Sequence, residues 1–338
     1  MDTPIGKIPR VKARLTSRDW YGSWKVRWAI GRTRYRVPPG LYAVGAPTHE
    51  SPVLVTANYK MSLDLLRSEL AGHDAWIMVL DTKGINVWCA AGKGTFGTAE
   101  LIDRIDRVRL SDVVSHRNLI LPQLGATGVS AHAVEDQSGW RITYGPVRAG
   151  DLLAFLRAGR KATPEMRRVR FPLFNRLVLV PTELAVSSKY LLIVAVCFLA
   201  LSGLGSTGYS VHQIQAVGSR SLLMLLAAYF AGAAVAPVLL PWLPGPAFSL
   251  KGAFVGLLAA LVIISRDWAG PGIFDNPLEA GSWLLMVPAV ASFLTMNYTG
   301  SSTYTSLSGV RREMHFAVPA QIGAATIGVV VWVVGRFI

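Results

Sequence analysis

The stretch VLVTANYKMSLDLLRSELAGHDAWIMVL, residues 53–80, decides the fold of the first half of the chain. It begins with the apolar run Val53–Thr56 and ends with Trp76–Leu80, and both runs have the length and composition of buried strands. Ser62 and Gly72 mark the ends of a helix between them. Its apolar side chains recur at helical spacing, at Leu63, Leu66 and Leu70. A strand, a helix and a second strand in this order predict an α/β unit with parallel strands.

The same alternation continues downstream. Ile85–Ala90 extends as an apolar run, and Thr98 is placed to cap a following helix. Asn118–Leu121 and Arg141–Tyr144 have the composition of strands, and Asp151–Arg157 that of a helix. The pattern predicts a Rossmann-like α/β domain whose sheet is mostly parallel and covered on both faces.

Charge and hydropathy divide the chain of 338 residues into two parts. Residues 1–190 hold 28 Lys+Arg and 16 Asp+Glu, whereas the remaining residues hold 6 and 4. A basic part is therefore followed by an apolar part. We predict four segments: a basic lead-in at 1–41, the α/β domain at 42–160, a basic linker at 161–188 and a transmembrane domain at 189–338. The lead-in is rich in Arg, Trp and Tyr, and we expect it to pack on the domain or on a membrane surface.

Five runs in the apolar part are candidates to cross a bilayer, for which about 20 residues are needed. The predicted spans are 190–208, 221–240, 250–265, 280–298 and 316–335. The third run is short, so a re-entrant or interfacial segment is the alternative there. It also contains Gly252 and Gly256, a spacing that packs helices closely. The four clear spans carry no Asp, Glu, Lys or Arg, which favours an anchor over a translocator.

Basic residues before the first span predict the orientation. Residues 157–176 carry seven Lys+Arg and one Glu. The positive-inside rule keeps such a segment cytoplasmic. We therefore predict a protein of the cytoplasmic membrane with the α/β domain in the cytoplasm and, after five spans, the C-terminus outside. Met1–Arg18 lacks the apolar core of a secretory signal.

Cys89, one of two cysteines, lies in the stretch DTKGINVWCAAGKGTFGTAELIDRI, residues 81–105. Its glycine–lysine run fails as a phosphate loop, because Val87 stands where the first glycine belongs and Gly94 follows the lysine. The string GKGTFG, residues 92–97, matches a dinucleotide motif in letters. No acidic residue about 20 positions on closes a second strand, so this match is weak.

Cys89 has three interpretations on its own spacing. A nucleophile needs a base, and no spacing selects one of His73, His116 and His132. A thiolate is a soft donor that can serve as one axial ligand of a metal held by a macrocycle. The plain alternative is a buried, inert cysteine. Cys197 lies in an apolar run, where a small apolar role is the simplest reading. Two cysteines cannot hold an iron–sulfur cluster, which usually needs four.

Several motifs together resemble one family. NVWCAAGKGTF (86–96) is similar to the signature of the membrane corrinoid protein of microbial mercury methylation. PVLVTANYKMSLDLLR (52–67), LILPQLGATGVSAH (119–132) and ITYGPVRAGDLLAFL (142–156) resemble the corrinoid-binding domain that this family shares with the large subunit of the corrinoid/iron–sulfur protein. The order, a corrinoid domain followed by about five spans, also fits that family.

This resemblance implies a site. Cys89 would be the lower axial ligand of cobalt in a cobalamin or related cobamide, and thereby the catalytic residue. The residues implied to bind the cofactor are Thr56, Asn86, Val87, Trp88, Ala90, Ala91, Gly92, Lys93, Gly94, Thr95, Phe96, Leu121, Pro122, Gln123, Leu124, Gly125, Ala126, Val147 and Ala149. Its glycines would let the backbone approach a large flat ligand.

The resemblance also implies a reaction and partners. The chain would be a cobalamin-dependent methyltransferase that passes a methyl group from methyl-Co(III) cobamide to Hg(II), which yields methylmercury. A separate ferredoxin-like protein with two [4Fe–4S] clusters would reduce the cobalt, and no nucleic-acid partner is expected. Two alternatives stay open: a membrane-anchored corrinoid methyl carrier with another acceptor, and a membrane scaffold without a cofactor.

Overall fold

The computed structural model describes residues 1–266, 274, 276–302 and 304–338. The chain divides into two compact units, Met1–Val169 and Arg170–Ile338. The first unit extends to Val169, whereas the sequence placed the end of the α/β domain at 160. Each unit is described by itself.

A short hairpin and a six-stranded sheet form the strands of the first unit. The hairpin pairs β1 with β2, and the sheet runs in the order β3-β4-β6-β5-β7-β8. Only the β4–β6 pair in this sheet is antiparallel. The strands are β1 (Asp2–Thr3), β2 (Gly6–Lys7), β3 (Arg10–Val11), β4 (Gly40–Val44), β5 (Val53–Ala57), β6 (Ala75–Leu80), β7 (Asn118–Leu121) and β8 (Arg141–Tyr144). The prediction of an α/β fold with a mostly parallel sheet is confirmed.

Helices cover both faces of this sheet. They are α1 (Ser17–Arg27), α2 (Lys60–Ser68), α3 (Val87–Gly92), α4 (Thr98–Arg107), α5 (Ala131–Ser138), α6 (Leu152–Arg157) and α7 (Pro164–Arg167). Side chains of α2 and α6 share one core cluster, and side chains of α3, α4 and α5 share the other. Strand β6 is buried along its whole length and contributes to both clusters. This explains its uninterrupted apolar sequence, since a strand covered on both faces has no solvent side.

The sheet contains a topological switch point between β5 and β7. The chain leaves β5 through α2 toward β6, whereas it leaves β7 through α5 toward β8 on the opposite side. Helices α2 and α5 consequently lie on opposite faces of the sheet. The connections that leave the carboxyl ends of β5 and β7 therefore run in opposite directions. In open α/β sheets, such a crevice is where ligands bind.

Three local elements differ from the sequence predictions. The lead-in is part of the fold, because β3 pairs with β4 in the sheet. The second half of the apolar run Ile85–Ala90 belongs to helix α3. Gly97, rather than Thr98, caps α4, and the Thr98 hydroxyl accepts a hydrogen bond from the Ser130 backbone N–H at 2.9 Å. A glycine can hold the extended backbone of a cap without a side-chain bond, which leaves the threonine hydroxyl for the neighbouring loop.

The second unit is helical. Within its described residues, five helices are long and apolar enough to cross a membrane: Leu173–Ser202, Val211–Leu239, Phe248–Ser265, Pro277–Gly300 and Ser308–Val334. We number them first to fifth helix. The expected count of five agrees with these helices.

The first helix begins earlier than predicted. It starts at Leu173, directly after Pro172, and takes in part of the predicted linker at 161–188. Glu183 therefore lies inside the helix, and its carboxylate accepts a hydrogen bond from the Asn297 side chain at 2.5 Å. The charge-free run located the apolar part of the helix, but backbone hydrogen bonding continues past the point where apolar composition ends. The sequence argument that the first span lacks ionisable groups does not extend to this longer helix.

Small residues bring the third and fourth helices together. A Cβ built on Gly252 would lie 2.6 Å from the Ala291 carbonyl oxygen, and one built on Gly256 would lie 2.7 Å from the Ala291 Cβ. The glycine pair therefore packs two helices of the same chain, and larger side chains would separate them.

Candidate functional site

A cleft of about 350 Å³ lies at the carboxyl ends of β5, β7 and β8 in the first unit. It occupies the switch point between β5 and β7. The residues that line it are Leu54, Val55, Thr56, Tyr59, Met61, Ser62, Leu65, Leu66, Asn86, Val87, Trp88, Ile120, Leu121, Pro122, Leu124, Gly145, Pro146, Val147, Arg148, Ala149 and Leu152. Its walls are mainly apolar, and a few polar side chains stand at its edge. This composition is typical of a small-molecule site.

Two exposed apolar side chains border the cleft. Leu65 projects from α2 and Trp88 from α3, and both are exposed although they are large and apolar. Met61 and Leu66 extend the α2 side of the wall. A flat apolar ligand would cover these side chains and remove them from water.

Cys89 follows the cleft-lining residue Trp88 on α3. Its side chain is free and exposed. Asn86 caps the helix, because its side-chain oxygen accepts a hydrogen bond from the Cys89 backbone N–H at 2.9 Å. Asn86, Val87 and Trp88 line the cleft, whereas Cys89 is not among the lining residues. The inert, buried cysteine considered from sequence is therefore wrong in one respect, since this thiol is open to solvent.

A buried polar network fixes the loop that leads into α3. The Asn58 side-chain oxygen accepts hydrogen bonds from the Thr82 hydroxyl at 2.9 Å and from the Gly84 backbone N–H at 2.8 Å. The Asn58 amide group donates to Asp81 at 3.1 Å. Because buried amide groups are expensive to leave unpaired, this network holds the loop in one conformation. Sequence reasoning did not find Asn58, which has no motif of its own.

Asp81 adds charge to this loop. The Lys83 ammonium donates a hydrogen bond to Asp81 at 2.6 Å. That bond lowers the pKa of Asp81, and partial burial opposes the change. The carboxylate therefore stays ionised and keeps its bonds to the loop at neutral pH.

Several residues of the predicted site pack in the core next to α3 and do not line the cleft. Ala90, Ala91 and Phe96 are buried in the core cluster that α3 shares with the sheet. A Cβ built on Gly125 would lie 2.5 Å from the Phe96 ring, and one built on Gly128 would lie 2.9 Å from the Ala91 Cα. Gly125 and Gly128 thus make room for α3 and its anchor Phe96.

The glycine–lysine segment is a turn between α3 and α4. Gly92, Lys93 and Gly94 are exposed, and Gly94 has a φ of +78°, which favours glycine. The Thr95 hydroxyl lies 3.4 Å from the Ala90 carbonyl oxygen. The string GKGTFG follows a helix rather than a strand, so the structural context of a dinucleotide motif is missing. The glycines serve the turn, and they do not line the cleft.

The other predicted residues divide in the same way. Thr56, Leu121, Pro122, Leu124, Val147 and Ala149 line the cleft. Gln123, Gly125 and Ala126 follow Pro122 in a short helical turn and do not line it. The Gln123 side-chain oxygen is buried, and within the described part of the chain it has no hydrogen-bond partner.

Sequence reasoning missed the wall formed by α2, and in the turn after β8 it named only Val147 and Ala149. The missed lining residues are Leu54, Val55, Tyr59, Met61, Ser62, Leu65, Leu66, Ile120, Gly145, Pro146, Arg148 and Leu152. Their signal was the order of elements. A helix that directly follows a parallel strand begins at the carboxyl edge of the sheet, where ligands bind.

The histidines considered as bases have other partners. His116 Nε2 lies 3.0 Å from the Ser51 carbonyl oxygen, and His73 Nδ1 lies 3.1 Å from the Ala71 carbonyl oxygen. His132 is exposed and lies 3.4 Å from Asp136. These contacts give Cys89 no histidine base.

The fold and the cleft thus define an α/β domain with a candidate ligand site at the switch point of its sheet. Residues 28–156 match the family described as CO dehydrogenase/acetyl-CoA synthase delta subunit. This region lies within the first unit.

Three proteins with known names are similar in sequence to part of this chain. The acetyl-CoA decarbonylase/synthase complex subunit gamma of Archaeoglobus fulgidus is 32% identical over 127 residues, which are 37% of this chain and 27% of that protein. The corresponding subunit of Methanopyrus kandleri is 34% identical over 127 residues, again 37% of this chain and 27% of the relative. The corrinoid/iron-sulfur protein large subunit of Moorella thermoacetica is 30% identical over 125 residues, or 36% of this chain and 28% of that protein. The chain thus spans about a quarter of the length of these relatives. Its first unit contains a domain related to corrinoid proteins.

Proposed function

We propose that this protein is a membrane-anchored corrinoid methyltransferase whose acceptor is Hg(II). The observation that carries the proposal is the position of Cys89. It is an exposed thiol on a capped helix whose first residues line an apolar cleft, in a domain related to corrinoid proteins.

The cleft suits one face of a large flat group. A cobamide exceeds the 350 Å³ of the cleft and would occupy it in part. Thr56, Pro122, Val147 and Ala149 would contact it. Cys89 would hold the cobalt. Apolar walls and one soft ligand match a macrocycle that brings most of its own metal ligands.

The residues of this chain position the thiol and keep water away. When bound, a cobamide supplies a cobalt ion that carries a methyl group. Asn86 fixes the turn of α3 that presents Cys89, so the thiol approaches a ligand from one direction. Leu65 and Trp88 would close over the ligand edge and exclude water from the transfer. A thiolate is an electron-rich, soft ligand that would donate charge to the cobalt. That charge would favour transfer of the methyl group to a soft acceptor such as Hg(II).

The setting is part of the proposal. The five apolar helices would anchor the protein in the cytoplasmic membrane, with the first unit in the cytoplasm and the C-terminus outside. The basic residues at 157–176 support that orientation. A separate ferredoxin-like protein with two [4Fe–4S] clusters would supply electrons, because two cysteines are too few for a cluster in this chain.

A second candidate function is favoured by the names of the relatives. They belong to acetyl-CoA decarbonylase/synthase complexes, so a methyl carrier with an acceptor other than mercury is the alternative. Both candidates require a bound corrinoid, and the acceptor separates them.

Reconstitution tests the shared requirement. The full chain in detergent or nanodiscs is incubated with cobalamin, desalted and examined by visible absorption. Retained corrin absorbance supports the proposal, and colourless protein would leave a membrane scaffold without a cofactor. The coloured protein is then supplied with a methyl donor, a reductant and Hg(II)–thiolate. Methylmercury formation supports the first candidate, and a retained methyl group supports the carrier.

The reductant partner has its own test. The chain has a formal net charge of +14. An acidic ferredoxin would be attracted to it, and such attraction weakens with salt. Binding of the ferredoxin is measured at low and high ionic strength, and salt-independent binding would count against this mode of association.

A further inference from the structure

Helix α1 packs against the rest of the first unit through one face. Val26 is buried, and a Cβ on Gly22 would lie 2.5 Å from the Tyr35 hydroxyl oxygen. The Ser23 hydroxyl lies 3.4 Å from the Met61 sulfur. Gly22, Ser23 and Val26 therefore face the domain, whereas large aromatic side chains of α1 are exposed.

Asp19 is the main link of α1 to α2. Its carboxylate lies 2.5 Å from the Lys60 ammonium and 2.9 Å from the Arg67 guanidinium. Asp64 on α2 contacts both of these cations, at 2.6 and 2.8 Å. Burial alone would raise the pKa of Asp19, but hydrogen bonds from Lys60, Thr16 and Arg67 outweigh it and hold that pKa well below its usual value. The network fixes which face of α1 points outward.

The outward face of α1 is aromatic. Trp20, Tyr21, Trp24 and Trp28 expose 65%, 62%, 53% and 38% of their surfaces. The tryptophans recur every four residues, so all of them lie on one side of the helix. Tyr21 stacks on Trp24 with ring centroids 6.1 Å apart, and Trp24 lies 6.4 Å from Trp28. We call these four side chains the aromatic face.

Basic side chains occur on α1 and in the turn that follows it. Lys25 lies over the Tyr21 ring, with its ammonium 5.7 Å from the centroid. Arg18, Arg32 and Arg34 are exposed beside α1. Tryptophan and tyrosine prefer the interface between water and lipid, and a basic border attracts anionic headgroups.

We propose that the aromatic face binds the headgroup region of an anionic lipid bilayer. Two observations favour lipid over a soluble partner. The border of the face is basic, which complements anionic lipid. In addition, the first unit ends at Val169 and the first apolar helix begins at Leu173, so a bilayer spanned by that helix would be tethered to the first unit by a short segment. Such a tether converts a weak contact into a persistent one.

The contact has a consequence for the cleft. Helix α1 is bonded to α2, and α2 supplies Met61, Leu65 and Leu66 to the cleft wall. A bilayer that holds α1 would therefore restrain the α2 wall as well. The lipid contact does not depend on which ligand occupies the cleft.

Lipid quenching of a fluorescent label tests the proposal in the full chain. The background carries Cys89→Ser and Cys197→Ser, and an environment-sensitive label is attached at Trp24→Cys or, separately, at Trp20→Cys. The control label is placed at Arg107→Cys, an exposed position on α4. A further control restores Cys197, which is exposed on the first apolar helix. Nanodiscs contain phosphatidylcholine with about 30% phosphatidylglycerol and a headgroup-proximal doxyl lipid as quencher.

We expect labels at positions 20 and 24 to be quenched at least about twofold more than the label at 107. Equal quenching at all three positions, with a strongly quenched Cys197 label, would overturn the proposal. Quenching that appears only at high protein concentration would indicate a second copy on the face and would overturn it too. An unquenched Cys197 label would instead refute the membrane location itself, which is a separate failure.

A charge variant tests the lipid chemistry. Arg18→Glu with Lys25→Glu reverses part of the basic border and keeps all four aromatic side chains. We expect it to reduce quenching at position 24 by at least about twofold in anionic nanodiscs, and to have little effect in pure phosphatidylcholine. Equal quenching of variant and parent in anionic nanodiscs would contradict a role for anionic lipid.

Discussion

Cys89 and Cys197 are both free and exposed, yet their surroundings have little in common. Cys89 lies on a helix of six residues whose first turn lines a cleft and is capped by Asn86. Cys197 lies within a helix of 30 residues, next to Phe198, which packs on aromatic side chains of other helices. Exposure alone therefore does not distinguish a ligand from an apolar surface residue. The proposal assigns a ligand role to Cys89, on a short helix whose first residues line a cleft, and a contact with lipid to Cys197, on a long apolar helix.

The largest expected effect separates the two cysteines directly. Cys89→Ala should lower methyl transfer by at least about 100-fold, because removal of a metal ligand changes both affinity and reactivity. Cys197→Ala should leave the rate within about twofold, since free cysteine is usually a small apolar residue. Both rates are measured on cobalamin-loaded protein with matched cobalt content. Equal losses of methyl-transfer rate in the two variants would contradict the different roles assigned to the two cysteines.

A second prediction moves the helix of Cys89 without touching the thiol. Gly128→Ala places a Cβ 2.9 Å from the Ala91 Cα, so the chain must shift at the base of α3. We expect a loss of about 1–3 kcal/mol in unfolding free energy of the first unit. Gly92→Ala is the matched control, because its Cβ meets nothing within 4 Å. Denaturant unfolding monitored in both variants decides the outcome, and an equally destabilised Gly92→Ala would show that the effect is not specific to this contact.

A third prediction fills the cleft. Ala149 lines it on the turn after β8. Ala149→Trp should weaken cobalamin retention by about tenfold, since the new ring occupies space meant for the ligand. Gly150→Ala, one residue away and with open space around its Cβ, is the control. Equilibrium dialysis of cobalamin measures both, and unchanged retention in Ala149→Trp would place the ligand elsewhere.

A fourth prediction concerns the ion pairs that link α1 to α2, the helix that forms one wall of the cleft. Asp19→Asn removes the charge that binds α1 to α2 and should cost about 1–3 kcal/mol, as is typical for a charged hydrogen-bond partner that is largely buried. Asp103→Asn removes an exposed ion pair with Arg107 on α4 and should cause no measurable change. Chemical unfolding compares the two variants with the parent.

Asp19 also predicts a pH dependence. Its pKa in the folded protein is lower than in the unfolded chain, where a value of about 3.9 is usual. A lowered pKa contributes stability above the unfolded value, and that stability is lost as the pH falls below it. The difference in unfolding free energy between parent and Asp19→Asn should therefore be constant from about pH 8 to pH 5 and shrink below about pH 4. A difference that already shrinks near neutral pH would contradict this origin.

The sequence predicted four of the six strands of the sheet, β5 to β8, for a physical reason, whereas β3 and β4 were not predicted. Strands such as Asn118–Leu121 are short apolar runs between turns, and burial on both faces leaves no other reading. Helix α3 was harder, because six residues with an apolar sequence show no helical period. Its assignment depends on Asn86 and on space provided by Gly128, a contact far away in sequence.

The candidate site was predicted in part from the sequence. Thr56, Trp88, Pro122 and Ala149 were named from the resemblance and line one cleft. Phe96 was named with them but is fully buried in the core. A sequence motif does not distinguish residues that line a cleft from residues that pack beneath them. The outward aromatic face of α1 could not be predicted either, since its direction depends on the ion pair of Asp19 with α2.

Cobalt X-ray absorption tests the central claim most directly. The full chain is loaded with cobalamin, and the spectrum at the cobalt edge is compared between the parent and Cys89→Ala, with Cys197→Ala as the control. The proposal predicts one sulfur ligand to cobalt in the parent and in Cys197→Ala, and its loss in Cys89→Ala. A parent spectrum without a sulfur ligand, in protein that retains cobalamin, would contradict the assignment of Cys89 as the cobalt ligand.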